Sequence, residues 1–572
     1  MKKCPQCGRE YDVSMAFCLD DGTELLYGPA SGSRELDEPA TAIVHTTDAV
    51  GDAPTRAQIH ITEQTAVLPS GISDLPKRSF DKRLIAAPFL LAIIVLAGFL
   101  GYRYLGPNTE QIESIAVMPF VNESGSADVE YLSDGMTETL IKSLSQIPHL
   151  NVKPRSSVFR YKGKDTDLQT IAKELNVQAI LNGRVVQRGD QLTLSLELVD
   201  VQKDKVIWTE QYQRKQSELV SLQSEIAKDV SSNLKAKLTG AEETKVTKTS
   251  TVNPEAYQLY LKGRYQWNKR TKESLKQAVE YFSQAIEKDP NYALAYSGLA
   301  ESYTLFGNYN VAPQLEAMPK AKAAALRAIE LDDSLAETRV ALGIYYSNFA
   351  WNQLAAEKEF RRAIELNPNY ATAHQQFGIE CLTAMGRFDE AIAESKRAEE
   401  LDPASPIIAA DLGQVLMRAR RYDESIEHLN RVVALDPDFW VTHWYLGMSY
   451  DGKGQYQEAV SAYRKGLSLN DNPWLKALLI RALAKSEERG EAVKLLGELQ
   501  AESTRHYVSS SSLAIAYGAI GEKDKAFAFL NKDVTDRASR PQVFSINPIW
   551  DDLRDDPRFA DVLRRVEAAK MD

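Results

Sequence analysis

The spacing of apolar and polar residues predicts one membrane-spanning segment near the start of the chain. The run from Leu84 to Tyr102 is apolar and carries no charged residue. A helix of about 20 such residues matches the roughly 30 Å hydrocarbon core of a bilayer. A buried core helix and a signal peptide are the alternatives, but about eighty residues of unrelated sequence precede the run. We therefore predict one transmembrane helix over residues 84–102.

The charges that flank this run predict its orientation. Lys77, Arg78, Lys82 and Arg83 precede it, whereas Arg103 alone follows it closely. Flanking cations are retained in the cytoplasm. The sequence therefore indicates a single-pass protein of the inner or plasma membrane, with a cytoplasmic N-terminus and most of the chain extracytoplasmic. Residues 27–83 lack helical or strand periodicity and are predicted to form a disordered linker.

Residues 112–240 predict a domain of mixed α+β class. Leucines at 192, 194, 196 and 198 occupy every second position, as the buried face of a strand requires. Other apolar runs indicate further strands near residues 114–120, 150–153, 177–187 and 206–212, with helices over residues 131–147, 168–175 and 219–238.

The remainder of the chain repeats a two-helix pattern. The dipeptides that close each unit recur at a period of about 34 residues, after one longer first interval: Asp289-Pro290, Asp332-Asp333, Asn367-Pro368, Asp402-Pro403, Asp436-Pro437 and Asn470-Asp471. A glycine recurs in the first helix of several units, at Gly343, Gly378, Gly413 and Gly447. The pattern predicts an all-α solenoid of about seven or eight units over residues 254–540. An amphipathic run over residues 547–566 predicts a capping helix within a C-terminal cap of residues 541–572.

The units resemble tetratricopeptide repeats. The fullest match consists of Leu446-Gly447, Tyr450, Ala459, Tyr463 and the closing Leu469-Asn470-Asp471. The resemblance implies a concave surface, formed by the first helices, that binds a protein or peptide partner. Residues that the register places on this surface are Gln414, Met417, Val441, Trp444 and Met448. Such a lining favours an extended or helical peptide with apolar side chains, although Trp444 could instead merely cover a neighbouring helix.

The α+β segment resembles the amino-terminal domain of TolB-like proteins. The resemblance rests on SIAVMPFVNESG (114–125), YLSDGMTETL (131–140), Arg155-Ser156-Ser157 with Tyr161, ILNGRV (180–185) and IWTEQY (207–212). Bacterial proteins join this domain to repeat modules, cyclases and winged-helix regulators. The family has no agreed catalytic activity, so the resemblance implies a fold and no chemistry.

Residues 1–26 contain a candidate metal site. Cys4, Cys7 and Cys18 are followed by Asp21, which stands where a fourth cysteine would complete a second knuckle. The pattern resembles a bacterial zinc ribbon and implies a closed, structural Cys₃Asp site for one Zn²⁺. A degenerate knuckle that has lost its metal is the alternative. Circular dichroism of a peptide of residues 1–26 with and without zinc distinguishes the two, since equal spectra would show the degenerate knuckle.

Composition and missing motifs exclude other functions. The net charge is −11 and no long Lys/Arg run occurs, so no nucleic-acid partner is expected. No phosphate-binding loop, nucleophile elbow or HExxH motif is present, and the seven histidines are dispersed. We expect neither an enzyme nor a small-molecule substrate.

Two functional hypotheses remain. The first is a membrane-anchored scaffold that binds protein partners through the solenoid, because a solenoid exposes one long face. The second is a transmembrane signal transducer, in which the outer domain senses a signal and the zinc ribbon reports to a cytoplasmic partner.

Overall fold

The computed structural model describes residues 2–3, 10–11, 112–126, 129–147, 149–234, 239–248, 251–309 and 311–570. The chain divides into two compact units, residues 1–104 and 105–572. In the first unit, β1 (Lys2–Lys3) pairs antiparallel with β2 (Glu10–Tyr11). The four predicted zinc ligands and the predicted span at 84–102 lie outside the described residues. Within the described ranges, no helix is long and apolar enough to cross a membrane and no cluster of metal-ligand side chains occurs.

The second unit begins with a small domain built on one mixed sheet of order β5-β3-β6-β7-β8, in which β4 also pairs with β6. β3 is parallel to both β5 and β6, whereas β6, β7 and β8 form an antiparallel meander. The strands are β3 (Ser114–Val117), β4 (Val121–Asn122), β5 (Asn151–Val152), β6 (Ala179–Arg188), β7 (Gln191–Asp200) and β8 (Lys205–Lys215). The helices are α1 (Glu130–Leu144), α2 (Arg155–Phe159), α3 (Leu168–Leu175), α4 (Leu219–Asn233) and α5 (Gly240–Thr247), with a 3₁₀ turn at Gln216–Glu218.

The alternation of leucines along β7 explains how this sheet is covered. Leu192, Leu194, Leu196 and Leu198 are all buried, whereas the residues between them are only half-buried. One face of the strand therefore lies in the core. The predicted α+β arrangement of this segment is confirmed as a small sheet domain in the middle of the chain.

Eight helix pairs follow in the described residues, and each pair is one repeat unit. The pairs are α6 (Pro254–Lys269) with α7 (Lys272–Lys288), α8 (Ala293–Leu305) with α9 (Gln314–Leu331), α10 (Ala336–Tyr345) with α11 (Gln353–Leu366), α12 (Ala371–Gln376) with α13 (Phe388–Leu401), α14 (Pro406–Arg418) with α15 (Tyr422–Leu435), α16 (Trp440–Gly452) with α17 (Tyr456–Leu469), α18 (Pro473–Lys485) with α19 (Arg489–Ser503), and α20 (Ser510–Ala519) with α21 (Lys523–Asp536). The predicted all-helical solenoid is confirmed.

The recurring glycines are explained by the packing within each pair. A Cβ atom on Gly447 would lie 2.4 Å from a ring carbon of Tyr463, and one on Gly413 would lie 2.4 Å from a methyl group of Leu429. Both neighbours are fully buried. Only a residue without a side chain lets the two helices approach this closely.

Two first helices continue into a π-helical turn. α10 is followed by the π turn Tyr346–Ala350, and α12 is followed by the π turn Phe377–Leu382. A π turn changes the hydrogen-bond pattern from i→i−4 to i→i−5, and such turns occur often at functional sites.

The sheet domain packs directly on the first repeats. Helix α1 lies against α6, where Gly135 approaches Leu261. The Arg264 guanidinium contacts Glu138 at 2.7 Å and Glu301 at 3.1 Å. The sequence predicted the sheet domain and the solenoid as separate segments. In the structure they share a largely buried, charged interface.

The C-terminal segment differs from the single amphipathic helix predicted over residues 547–566. It forms α22 (Pro541–Ile546), a 3₁₀ turn (Pro548–Trp550), α23 (Asp551–Arg554) and α24 (Pro557–Ala568). Pro548 and Pro557 each begin a new element, because proline suits the first turn of a helix and interrupts its interior. Helix α24 packs on α21, as a cap does.

Candidate partner-binding groove

The first helices of the repeats form a continuous surface. Each of these helices, from α6 through α8, α10, α12, α14, α16 and α18 to α20, contacts the next one in the series. We call their shared surface the inner face. A groove of this kind is where tetratricopeptide-type solenoids expose a long binding surface.

Four of the five predicted partner-binding residues, all on first helices, are buried. Gln414, Met417, Val441 and Met448 all have exposed fractions of 7% or less. Trp444 is half-buried, and its ring stacks parallel to that of Trp440 with 5.8 Å between centroids. The structure therefore brings Trp444 into an aromatic pair. The other four, in their present arrangement, offer little surface to a partner.

The chain's own C-terminal segment covers part of the inner face. Met417 and Met448 line a narrow crevice together with Asn547, Pro548 and Ile549. The segment's aromatic residues deepen this contact, because Trp550 is fully buried. Two of the predicted groove residues therefore lie against a segment of the same chain.

Polar contacts hold the stretch of chain that leads into this segment. One guanidinium nitrogen of Arg537 donates to the Phe349 carbonyl at 2.5 Å, and the guanidinium carbon lies 4.7 Å from the Trp351 ring centroid. The Gln314 side-chain amide donates to the Ala538 carbonyl at 3.2 Å. Phe349 belongs to the first π turn, so this turn supplies the carbonyl that Arg537 uses.

Arg540 completes a buried group of charges. A guanidinium nitrogen of Arg540 lies 2.7 Å from a carboxylate oxygen of Glu380, which is part of the second π turn. Arg418 is also buried, and it donates to the Ile379 carbonyl at 2.9 Å. Asp411 lies beside these residues. We call Glu380, Asp411 and Arg418 the acidic pocket.

Asp411 is held in an environment that disfavours its charge. Burial, assisted by the negative charge of Glu380, raises the pKa of Asp411 to about 7. Hydrogen bonds donated by the Gln375 amide at 2.7 Å and the Tyr445 hydroxyl at 3.2 Å, together with the charge of Arg540, act in the opposite direction. Desolvation outweighs them because the carboxylate is only 5% exposed.

The pKa of Asp411 leads to a pH-dependent stability. A folded-state pKa of about 7, against an ordinary 3.8, means that the folded chain binds the proton more tightly than the unfolded chain. Stability is therefore lost as the pH rises from about 4 to 7. The change in the free energy of unfolding that Asp411→Asn causes relative to wild type should therefore be more favourable at pH 8 than at pH 4.5. We expect the two pH values to differ by a few kcal/mol, since one pKa unit is worth about 1.4 kcal/mol. Urea unfolding at both pH values measures this difference, and Asp423→Asn, an exposed site, is the matched control.

Beyond the covered part, the first helices carry partly exposed apolar side chains, which we call the aromatic strip. We define it as Ile407, Trp440, Trp444 and Trp474, which all belong to the first or second turn of α14, α16 and α18. Ile407 is 39% exposed, and the three tryptophans are half-buried. Among the described residues, no hydrogen bond or ion pair joins the strip to the sheet domain or to the C-terminal segment. The indole N–H groups of Trp444 and Trp474 and the side-chain oxygen of Gln414 are buried and have no hydrogen-bond partner among the described residues.

Sequence reasoning missed the acidic pocket and the segment that fills it. Glu380 lies in the run FGIECL and Asp411 in the run IIAADLGQVLM, both otherwise almost free of charge. A carboxylate at such a place is rarely buried unless a cation pairs with it. The two carboxylates therefore indicate that a cation lies near them, but nothing in the repeat pattern identifies Arg540 as that cation.

Comparisons with known proteins assign the two parts of the second unit. Two tetratricopeptide-repeat sequence models match residues 382–445 and 440–473. The helices from α13 to α17 lie within these residues and match tetratricopeptide repeats. Such repeats point to a protein-protein interaction scaffold, and tetratricopeptide domains bind peptide or protein partners.

The sheet domain matches a different family from the one that its motifs suggested. Residues 110–229 match the second domain of HilA/YgeH-like transcriptional regulators. The resemblance to TolB-like proteins is not reproduced by this match and stays a prediction.

Two of the curated relatives illustrate the similarity. "Putative adenylate cyclase 3" of Rhizobium meliloti (strain 1021) is 33% identical over 187 residues, which are 33% of this chain and 32% of that protein. "Transcriptional regulator HilA" of Salmonella typhimurium is 24% identical over 315 residues, which are 53% of this chain and 55% of that protein. The chain thus spans about a third to a half of these relatives.

Part of the chain is also similar to solved structures of repeat proteins. A thermophilic TPR protein in Thermus thermophilus is 18% identical, with a TM-score of 0.29, and the match covers 36% of this chain and 99% of that one.

Among the curated relatives, one carries the name of a cyclase, so the expectation that this chain is no enzyme stays a prediction. The signal-transducer hypothesis gains no support from these comparisons.

Proposed function

We propose that this protein is a membrane-anchored scaffold that binds a peptide segment of a protein partner on the aromatic strip of its inner face. The observation that carries the proposal is the strip itself, an apolar surface with half-buried tryptophans on a solenoid that is built to expose such a face. Tryptophan is among the residues that dominate binding energy at protein interfaces.

The unpaired polar groups of the strip suggest how a peptide is held. Buried N–H and C=O groups cost about 1–3 kcal/mol when no partner satisfies them. The indole N–H of Trp444 is buried in the free chain, so a peptide carbonyl reaches it only if the ring turns on binding. An extended or helical peptide with apolar side chains fits the apolar surface of the strip.

We expect Trp444→Ala to weaken partner binding at least tenfold, which corresponds to about 1.4 kcal/mol. The loss of folding stability is expected to be smaller than for a core tryptophan, because the ring is half-buried and its stacking on Trp440 contributes about 0.5–1.5 kcal/mol. Quantitative mass spectrometry of proteins that co-purify with the full chain, together with a thermal melt, measures both effects. Leu435→Ala, at an 84% exposed position on a second helix, is the matched control. Equal co-purification by both variants would place the binding surface elsewhere.

Membrane attachment is the second element of the proposal. It rests on the uncharged run at residues 84–102 and on the cations that precede it. We expect a reporter fused after Asp572 to be extracytoplasmic. Protease added to intact spheroplasts should then digest the repeats, and repeats that resist the protease until the cells are lysed would reverse the orientation.

A further inference from the structure

The acidic pocket holds the guanidinium group of Arg540 in a pre-shaped position. Glu380 belongs to a π turn whose geometry is fixed from both sides, since the Ser347 hydroxyl donates to the Glu380 carbonyl at 2.6 Å. Arg418 donates to the Ile379 carbonyl in the same turn. The pocket therefore owes its shape to the repeats, and the C-terminal segment supplies only the cation that enters it.

The pocket requires a cation from outside the first helices. Glu380 is 4% exposed and Asp411 is 5% exposed, and an uncompensated buried carboxylate is strongly unfavourable. Arg418 is buried beside them, but its guanidinium donates to the Ile379 carbonyl at 2.9 Å and to the Thr383 hydroxyl at 3.4 Å. Glu380 forms its ion pair with Arg540, at 2.7 Å.

The contacts of Arg540 are of a kind that another polypeptide can reproduce. The Arg540 side chain is 19% exposed, whereas the Glu380 side chain is 5% exposed, so the cation approaches the pocket from the open side. Residues 538–540 lie between helices α21 and α22 and form no helix or strand. An arginine of a second chain could therefore enter by the same route, because it would make the same ion pair that Arg540 gives up.

We propose that the acidic pocket is a recognition site for an arginine side chain of a partner polypeptide, and that Arg540 occupies this site in the free protein. The inference rests on the proposed function, because it adds a charge requirement to the apolar peptide that the aromatic strip accepts. A partner segment would then present apolar side chains to the strip and an arginine to the pocket. Its binding replaces the chain's own arginine.

A peptide-binding measurement with the full chain tests this proposal. The probe is a fluorescent peptide with the sequence of residues 538–543, which carries the Arg540 equivalent but neither Arg537 nor the apolar anchors that follow. Two control peptides carry Ala or Lys in place of that arginine. Fluorescence anisotropy is measured with wild-type chain, with Arg540→Ala, and with Arg540→Lys. The Lys variant keeps a positive charge in the pocket, so it tests the proposal even if Arg540→Ala fails to fold.

We expect the arginine peptide to bind Arg540→Ala at least tenfold more tightly than wild type, because an attached competitor acts at an effective concentration in the millimolar range. Arg540→Lys should give an intermediate affinity, since an ammonium lacks the planar fork of a guanidinium. Adding Glu380→Gln should remove the gain, and the Ala peptide should bind none of the chains.

Three results would overturn the proposal. The first is equal affinity of the arginine and Ala peptides, the second is equal binding to wild type and both Arg540 variants, and the third is no binding to any chain. Each would mean that the ion pair of Arg540 with Glu380 only stabilises this chain's own fold. The proposed function would survive them, because its own test depends on Trp444 and not on Glu380.

Discussion

Replacing Arg264 with alanine is expected to lower the free energy of unfolding by about 3–5 kcal/mol, the usual cost of removing one partner from a buried ion pair. The Arg264 side chain is 14% exposed and lies between the carboxylates of Glu138 and Glu301. Its removal leaves Glu301 without its ion pair and Glu138 with Arg155 alone, at 3.3 Å. Guanidinium chloride unfolding followed by circular dichroism measures the loss. Arg431→Ala, which breaks an exposed pair with Glu427 within one helix, should cost less than about 0.5 kcal/mol.

The effect of Arg264→Ala should depend on pH. Burial alone would raise the pKa of Glu138, but the charges of Arg264 and Arg155 outweigh it and hold this pKa below its usual range. A lowered carboxylate pKa contributes stability near neutral pH that disappears as the pH falls through the folded-state value. The difference between wild type and variant should therefore shrink in acid. A variant that unfolds at the wild-type midpoint at pH 7 would show that the sheet domain and the repeats are not coupled through this contact.

Replacing Trp550 with alanine is expected to have a similar cost, about 3–5 kcal/mol, as is usual for a tryptophan in a core. The Trp550 side chain is fully buried and stacks on Phe544 with 6.3 Å between centroids. Its loss should also release the C-terminal segment from the inner face. Hydrogen exchange should then increase in residues 541–556 and in the π turn around Glu380. Trp440→Ala removes a half-buried ring, so it should leave exchange in that segment unchanged.

An unchanged exchange pattern in Trp550→Ala would contradict this account of the C-terminal segment. It would mean that the polar contacts of Arg537 and Arg540 alone hold the segment in place. The comparison therefore separates the apolar anchor from the charged one.

The local pattern of the sequence determined the elements that the structure contains. The leucines of β7 alternate because one face of that strand is buried, and the glycines of the first helices recur because Tyr463 and Leu429 occupy the space of a side chain. Both signals depend on neighbours within one strand or one repeat. Periodicity reads such short-range constraints directly.

Contacts between distant segments could not be read from the same pattern. Glu138 and Arg264 are 126 residues apart in the chain, and each alone resembles an ordinary charged residue of a helix. Arg540 follows the last repeat, so nothing in the period indicates that its segment returns to Glu380. The predicted groove residues Met417 and Met448 line a crevice with residues 547–549 of the C-terminal segment, and periodicity carries no information about what covers a face of the solenoid.

Site-specific photocrosslinking tests the central claim, that the inner face of the repeats binds the protein partner, most directly. A photoreactive phenylalanine derivative is placed at position 444 of the full chain in living cells, and in a second strain at position 435 on an outer helix, which is 84% exposed. The account predicts one crosslinked partner at position 444 that is lost when an excess of unmodified chain is expressed, and no such product at position 435. Crosslinks to the same partner at position 435 but not at position 444 would contradict it.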